Sequence, residues 1–285
     1  MKGKIEDKII KKIRKAVIET GNTLNSFKNS EDSFLFEYKD KNMGGQNSLG
    51  IDLIAENTFV KNLNEEDIGG IVLSEEKGEI NLNSKDNPIT FILDPLDGSS
   101  NFIRKLPFSC VSVAINSGLE EFDFSSLHYG FVFDFLRNDL FEINNDKVLL
   151  NGKSIKYNKK TGTPAIVLYT YKSEGYKLAF EFEKWTMIRT LGASALELSL
   201  VATGALDGFV DIRLSLKTYD FAVGARLINL LGGRVTFFDK NEIIPNNKVI
   251  LSDFTKGYGI LASSDEKLYD LILKEISNKY LRMFD

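Results

Sequence analysis

Asp94-Pro95-Leu96-Asp97-Gly98-Ser99-Ser100-Asn101-Phe102 follows directly on the apolar run Ile89-Thr90-Phe91-Ile92-Leu93. A short apolar run with turn residues behind it reads as a buried strand. The strand delivers Asp94 and Asp97 to its end, and the Gly98-Ser99-Ser100 turn then opens onto a helix. Carboxylates so placed suit hard cations. Free N–H groups at a helix start suit a phosphate. Cations and a phosphate cradle at one strand end imply phosphate-ester chemistry.

The 285-residue chain is long enough for one large domain or two modest ones. Its 43% hydrophobic and 27% charged content is that of an ordinary globular protein. The net charge of -4 and the lack of a long basic stretch argue against a nucleic-acid partner. Near the start, Lys2, Lys4, Lys8, Lys11, Lys12 and Lys15 alternate with Ile5, Ile9, Ile10, Ile13 and Val17. This spacing predicts an amphipathic helix packed on the core rather than a membrane-binding one. A single cysteine, Cys110, excludes an intramolecular disulfide and a Cys-rich zinc site, and the single histidine, His128, excludes a His-based metal cluster. No apolar stretch is long enough to span a bilayer and the start lacks a signal-peptide core, so a cytosolic, cytoplasmic protein is expected.

Helices are predicted over 4–27, 51–63, 173–183, 220–231 and 264–281, and another around Leu196, Leu200 and Val201 ends near Gly204. Ile71-Val72-Leu73 and Ile89 to Leu93 read as short buried strands. Ser109 to Phe141 reads as an antiparallel meander, and Asn151-Gly152 as a hairpin turn. Strands at Ala165 to Tyr169, Phe209 to Ile212, Arg234 to Phe238 and Ile260 to Ala262 alternate with helices. The expected class is a mix of α+β and α/β. It divides into an N-terminal α+β half, 1–155, with an antiparallel sheet and the metal motif, and a C-terminal α/β half, 156–285.

Acids recur where turns expose them: Ser74-Glu75-Glu76 after a strand, Asp94 with Asp97, Tyr219-Asp220 at a helix start, and Asp52 after the Gly-rich loop Met43-Gly44-Gly45-Gln46-Asn47. Oxygen-only ligands favour Mg²⁺ or Mn²⁺ over zinc, and the Leu96 carbonyl is a further oxygen. Each place has a plainer reading. Paired glutamates are usually a solvated turn, Asp52 and Asp220 read singly as helix N-caps, and Asp-Pro-x-Asp-Gly as an ordinary turn. Their joint occurrence is what favours a site.

Asp94 to Phe102 resembles the metal-binding signature of the inositol monophosphatase superfamily, Mg²⁺-dependent phosphatases that include the fructose-1,6-bisphosphatases. Ser74-Glu75-Glu76 before it and Tyr219-Asp220-Phe221-Ala222-Val223-Gly224 to Gly232-Gly233 after it stand in the family's order. Gly192-Ala193-Ser194-Ala195-Leu196-Glu197 and Gly204 to Arg213 look most like the archaeal members that act on both inositol-1-phosphate and fructose-1,6-bisphosphate. The resemblance covers about residues 5 to 280. It implies a layered αβαβα sandwich, a homodimer, two or three Mg²⁺ ions and a place in carbohydrate metabolism, gluconeogenesis included. It also implies roles. Glu75, Asp94 and the Leu96 carbonyl would hold one metal, and Asp94, Asp97 and Asp220 a second. Ser99 with Asp52 would orient a metal-activated water, and the N–H groups of Gly98 and Ser99 would hold the phosphate. Gly192 and Ser194 would meet the sugar or inositol hydroxyls, and Arg213 a hydroxyl or a second phosphate. An Asp211–Arg213 surface pair or an interface contact is the plainer reading of Arg213. Arg189, Tyr169, Tyr171 and Lys217 are further candidates for the pocket's far end. The loop at Gly44-Gly45 would close over the metals. Two departures stand out: Ser99 replaces the more usual Thr, and Ser48 to Asp52 matches loosely. A 3′-phosphoadenosine 5′-phosphate phosphatase is the nearest enzyme alternative, although such members usually carry Gly-Thr-Lys-Gly-Phe where this chain has Gly98 to Phe102. A non-catalytic phosphate-binding module on the same fold is the other.

Overall fold

The structure, a computed structural model, describes residues 4–41, 47–170 and 173–279. The chain opens with helix α1 (Asp7–Phe27), whose Ile10, Ile13, Val17 and Leu24 recur at helical spacing and are buried while the lysines stay outside. Next come the single turn α2 (Ser33–Phe36), the short pair β1 (Tyr38–Lys41) and β2 (Asn47–Leu49), and α3 (Gly50–Glu65). Then follow β3 (Gly69–Ser74), β4 (Gly78–Asn81), β5 (Ser84–Asp97) and the five-residue α4 (Ser99–Ile103). The meander comprises β6 (Cys110–Ser117), β7 (Tyr129–Asp134), β8 (Asp139–Asn144), β9 (Lys147–Leu150) and β10 (Lys153–Ser154).

The remaining elements alternate: β11 (Ala165–Tyr169), α5 (Ser173–Glu183), β12 (Met187–Arg189), α6 (Ser194–Thr203), β13 (Gly208–Leu216) and α7 (Thr218–Leu230). The chain closes with β14 (Arg234–Phe238), β15 (Ile243–Ile244), β16 (Tyr258–Ser263) and α8 (Glu266–Lys279). Among the described residues an eight-stranded sheet has the order β10-β9-β8-β7-β6-β5-β3-β4, and a six-stranded sheet the order β12-β11-β13-β16-β14-β15. The change of sheet falls between Ser154 and Ala165.

Strand periodicity sorts the apolar residues into layers. Phe91, Leu93, Val111, Val113, Phe131 and Phe133 face α1 and α3. Their alternates Ile92, Cys110, Ala114 and Val132 face α6 and α7, and the same cluster continues into Val167, Phe209 and Ile260 of the second sheet. The outer face of that sheet, through Ile166, Val210 and Leu261, packs on α5 and α8. The layers run helix, sheet, helix, sheet, helix: the αβαβα sandwich. Among the described residues no helix is long and apolar enough to cross a membrane.

The strand expected at 89–93 is much longer. β5 runs from Ser84 through Asp97, because Thr90 to Asp94 pairs with β6 and an irregularity between Asp94 and Asp97 carries the pairing past Pro95 to Cys110. The first sheet is also not purely antiparallel. β4 folds back on the outer side of β3, and β5 then returns along its inner side, parallel to it. That parallel register sets Ser74 beside Leu93, so Glu75 and Asp94 leave the sheet at the same edge. Asn151-Gly152 forms the expected hairpin turn, with φ of 52° and 76°. The Gly44-Gly45 loop and Tyr171 lie outside the described residues.

Candidate active site

Three elements deliver acids to one place. β3 and β5, being parallel, release Glu75 and the Asp94-Leu96-Asp97 stretch together. α7 points its first turn, with Asp220, at the same edge. Glu75, Asp94, Leu96, Asp97, Gly98 and Ser99 line a cavity of about 340 Å³, and Gly192, Ser194, Arg213 and Asp220 complete its wall.

The local geometry follows from the turn. Asp94 accepts the N–H of Leu96 at 3.0 Å, closing a turn around Pro95. Gly98, at φ 86°, has room only for hydrogen: a Cβ there would lie 2.9 Å from the Phe108 carbonyl and 3.1 Å from the Ala193 Cβ. Asn101 donates to the carbonyls of Phe108 at 2.8 Å and Leu191 at 2.6 Å, tying the signature to the Gly192 segment. Asp97 reaches the other half of the chain. It accepts the N–H groups of Ser194 at 3.2 Å and Ala195 at 2.7 Å, at the first turn of α6. The residue before that helix gives it no side-chain cap, so Asp97, from nearly a hundred residues away, serves as the acceptor.

Asp52 and Asp220 are not N-caps. Each sits third in its helix and reaches back to the N–H of the residue before it: Leu49 at 2.9 Å and Lys217 at 2.7 Å. Asp52 is buried, is not among the residues that line the cavity, and is near enough to Glu75 to repel its charge. Its Oδ1 has no hydrogen-bond partner among the described residues. Ser48 donates to the buried Glu76, a pair the sequence reading passed over.

Burial pushes all these acids upward. Asp52 rises to about 7, from burial first and the neighbouring Glu76 second. Asp97 and Asp220 rise to about 7, burial again outweighing their backbone hydrogen bonds. Glu75 and Asp94 stand well above the usual carboxylate range, through burial first; repulsion from Asp220, Glu76, Asp52 and Asp97 then adds to Glu75, and from Glu75, Asp97 and Asp220 to Asp94. Among the described residues no three such side chains already form a closed ligand set; the acids line a wall. Buried or half-buried oxygen donors held near one another, with Arg213 as the one cationic side chain among the described residues of the wall and that one paired with Asp211, are the chemistry a hard divalent cation fits.

Arg213 lines the cavity but is engaged. Its guanidinium holds Asp211 through Nε at 2.9 Å and Nη2 at 2.5 Å, and stacks on Tyr169 with 4.1 Å to the ring centroid. The Asp211 pair therefore exists, but buried rather than at the surface as expected, and Arg213 also lines the pocket. Tyr169 donates to the fully buried Glu197 at 2.7 Å and accepts the Gly192 N–H at 2.8 Å; Glu197 also accepts the Leu191 N–H at 2.7 Å. The Tyr169–Glu197 brace was not foreseen as such. Its signal was an acid within the small-residue run Gly192 to Glu197. A break in β13 pairing between Asp211 and Leu216, with Leu214 at φ 62°, turns Arg213 and Ser215 toward the cavity. Arg189 and Lys217 are not on its wall. Arg189 bonds the Ile188 carbonyl, and Lys217 the carbonyls of Thr255 and Lys256.

The inositol monophosphatase family model matches residues 6–280. The chain belongs to this family. A fructose-1,6-bisphosphatase/inositol-1-monophosphatase of Thermococcus kodakarensis is 33% identical over 240 residues, covering 84% of this chain and 86% of the relative. The Nus factor SuhB of Escherichia coli is 28% identical over 226 residues, 75% of this chain and 74% of the relative. Among solved structures, a hypothetical protein of Pyrococcus horikoshii with similarities to inositol-1 monophosphatase superposes with a TM-score of 0.69 at 31% identity, covering 92% of this chain and 97% of that one.

Proposed function

We propose that this family member is a metal-dependent phosphomonoesterase acting on fructose-1,6-bisphosphate, inositol-1-phosphate or both, with water as the nucleophile. The observation that carries this is the convergence of Glu75, Asp94, Asp97 and Asp220 on one cavity wall, beside the Gly98-Ser99 turn. Glu75, Asp94 and the Leu96 carbonyl would hold one Mg²⁺, and Asp94, Asp97 and Asp220 another, with Mn²⁺ as a substitute. When bound, such cations polarise the phosphoryl group and acidify water. Asp52, with one oxygen fixed by Leu49 and the other free of described partners, takes the proton of the attacking water, and the Ser99 hydroxyl orients it. The N–H groups of Gly98 and Ser99 hold phosphate oxygens at the start of α4. That helix has only five residues, so local hydrogen bonds outweigh any helix dipole.

Gly192 and Ser194 present backbone and hydroxyl to the substrate's ring. Arg213, held by Asp211 and Tyr169 at the cavity wall, meets a ring hydroxyl or the second phosphate. The half 1–155 would thus supply most of the metal ligands and the phosphate cradle, and the half 156–285 the substrate contacts together with Asp220. A cytoplasmic homodimer working in gluconeogenic carbohydrate metabolism accords with this reading.

Phosphate release from both substrates, with Mg²⁺ and with EDTA, is the direct test. Metal-dependent turnover is expected; none from any sugar or inositol phosphate overturns the proposal in favour of a binding module. Arg213→Ala should lower kcat/KM for fructose-1,6-bisphosphate by about 10–100-fold, the scale of a charge-assisted phosphate contact. Equal losses on both substrates would instead assign Arg213 a hydroxyl contact or its structural pairing with Asp211.

A further inference from the structure

The lysines around α1 have no part in the reading above. Lys11 and Arg14 sit one turn apart on that helix, with Asp7 a turn earlier and Lys4 just ahead of it. They form one wall of a cleft of about 420 Å³. The opposite wall is the β8–β9 turn, with Asn144, Asn145 and Lys147, and the cleft shares no residue with the carboxylate cavity. Arg14 is anchored: its Nη2 holds both oxygens of the buried Glu142 at 2.7 and 2.6 Å, and Asn144 donates to the same carboxylate at 3.2 Å. The Arg14 Nε is buried with no partner among the described residues.

Glu142 balances Arg14, which leaves Lys4, Lys11 and Lys147 against Asp7 alone. None of the three lysines makes an ion pair with a described residue. Like charges facing one another across a concavity repel, and a multivalent anion between them relieves the repulsion. The helical part of the wall, Asp7 to Arg14, spans only about 10 Å at the helical rise per residue, with Lys4 in the segment that leads into it. That length and the cleft's modest volume suit a compact ligand rather than the extended backbone of a nucleic acid.

We propose that this cleft is a second anion site, taking a small molecule with at least two phosphate charges. It stands apart from the phosphatase reading and does not depend on it. Titration calorimetry with inorganic tripolyphosphate, in EDTA to keep the carboxylate cavity free of metal, tests it. Saturable one-to-one binding is expected. It should weaken about tenfold in Lys11→Ala/Lys147→Ala, tighten about two- to threefold in Asp7→Asn, and stay unchanged in Asp220→Asn. Lys11, Lys147 and Asp7 are exposed, so these variants keep the fold. No binding, or binding insensitive to the Lys11/Lys147 pair, overturns the proposal. So does a single-stranded oligonucleotide that binds more tightly than tripolyphosphate with the same lysine dependence.

Discussion

Asp52 combines a structural and a proposed chemical duty in one carboxylate. One oxygen accepts the N–H of Leu49, the residue before α3, and the other is buried without a described partner. Burial and Glu76 bring it to about 7, where a carboxylate exchanges a proton readily near neutral pH. Asp52→Asn keeps an acceptor for Leu49 but no longer takes up a proton. Steady-state kinetics should show kcat down by about 10²–10⁴-fold with KM little changed, while circular dichroism melting stays near wild type. Near-normal turnover would remove Asp52 from the chemistry.

At the scale of the element, Asp97 ties β5 to α6. It accepts the Ser194 and Ala195 N–H groups at a helix start that has no cap of its own. Removing that acceptor strands two buried donors. In EDTA, where no metal contributes, Asp97→Ala should cost about 1–3 kcal/mol by urea denaturation. Asp97→Asn should cost less than Asp97→Ala but not nothing, since its one amide oxygen still accepts only one of the two N–H groups that Asp97 takes with separate oxygens. Asp94→Ala should cost less than Asp97→Ala, because among the described residues Asp94 bonds only within its own turn, to Leu96. Equal stability of the Asp97 Ala and Asn variants would refute the capping role.

For the whole molecule, the cluster of buried acids sets how stability responds to pH and metal. Asp52, Asp97 and Asp220 rise from 3.8 to about 7 on folding. Between those values the folded state binds more protons than the unfolded one, so stability falls as pH rises from about 4 to 7 and levels off above. Metal-free protein should therefore melt higher at pH 5.5 than at pH 7.5, by on the order of 5 °C. If these carboxylates hold the proposed cations, they would do so in their ionised form, so millimolar Mg²⁺ should raise Tm more at pH 7.5 than at pH 5.5. A pH-independent Mg²⁺ effect in differential scanning fluorimetry would separate the cation from these acids.

The sequence alone determined what is local. Apolar spacing marked α1, α3, α6, α7 and α8 to within a few residues, Asn151-Gly152 marked its hairpin, and Asp94 to Phe102 marked the strand end and its turn. The family was legible too, because metal and phosphate ligands impose residue types at short fixed spacings. Only the tertiary structure decided which distant segments meet. The parallel β3–β5 register brings Glu75 beside Asp94, α7 aims Asp220 at the same edge, and Asp97 reaches α6. The same holds for Arg213: its motif fitted a phosphate contact and an Asp211 pair nearly equally, and the structure has the Asp211 pair on a side chain that the break in β13 also sets on the cavity wall. Short-range spacing encodes backbone conformation and ligand chemistry, whereas strand order, register and side-chain partners depend on long-range packing that no local pattern records.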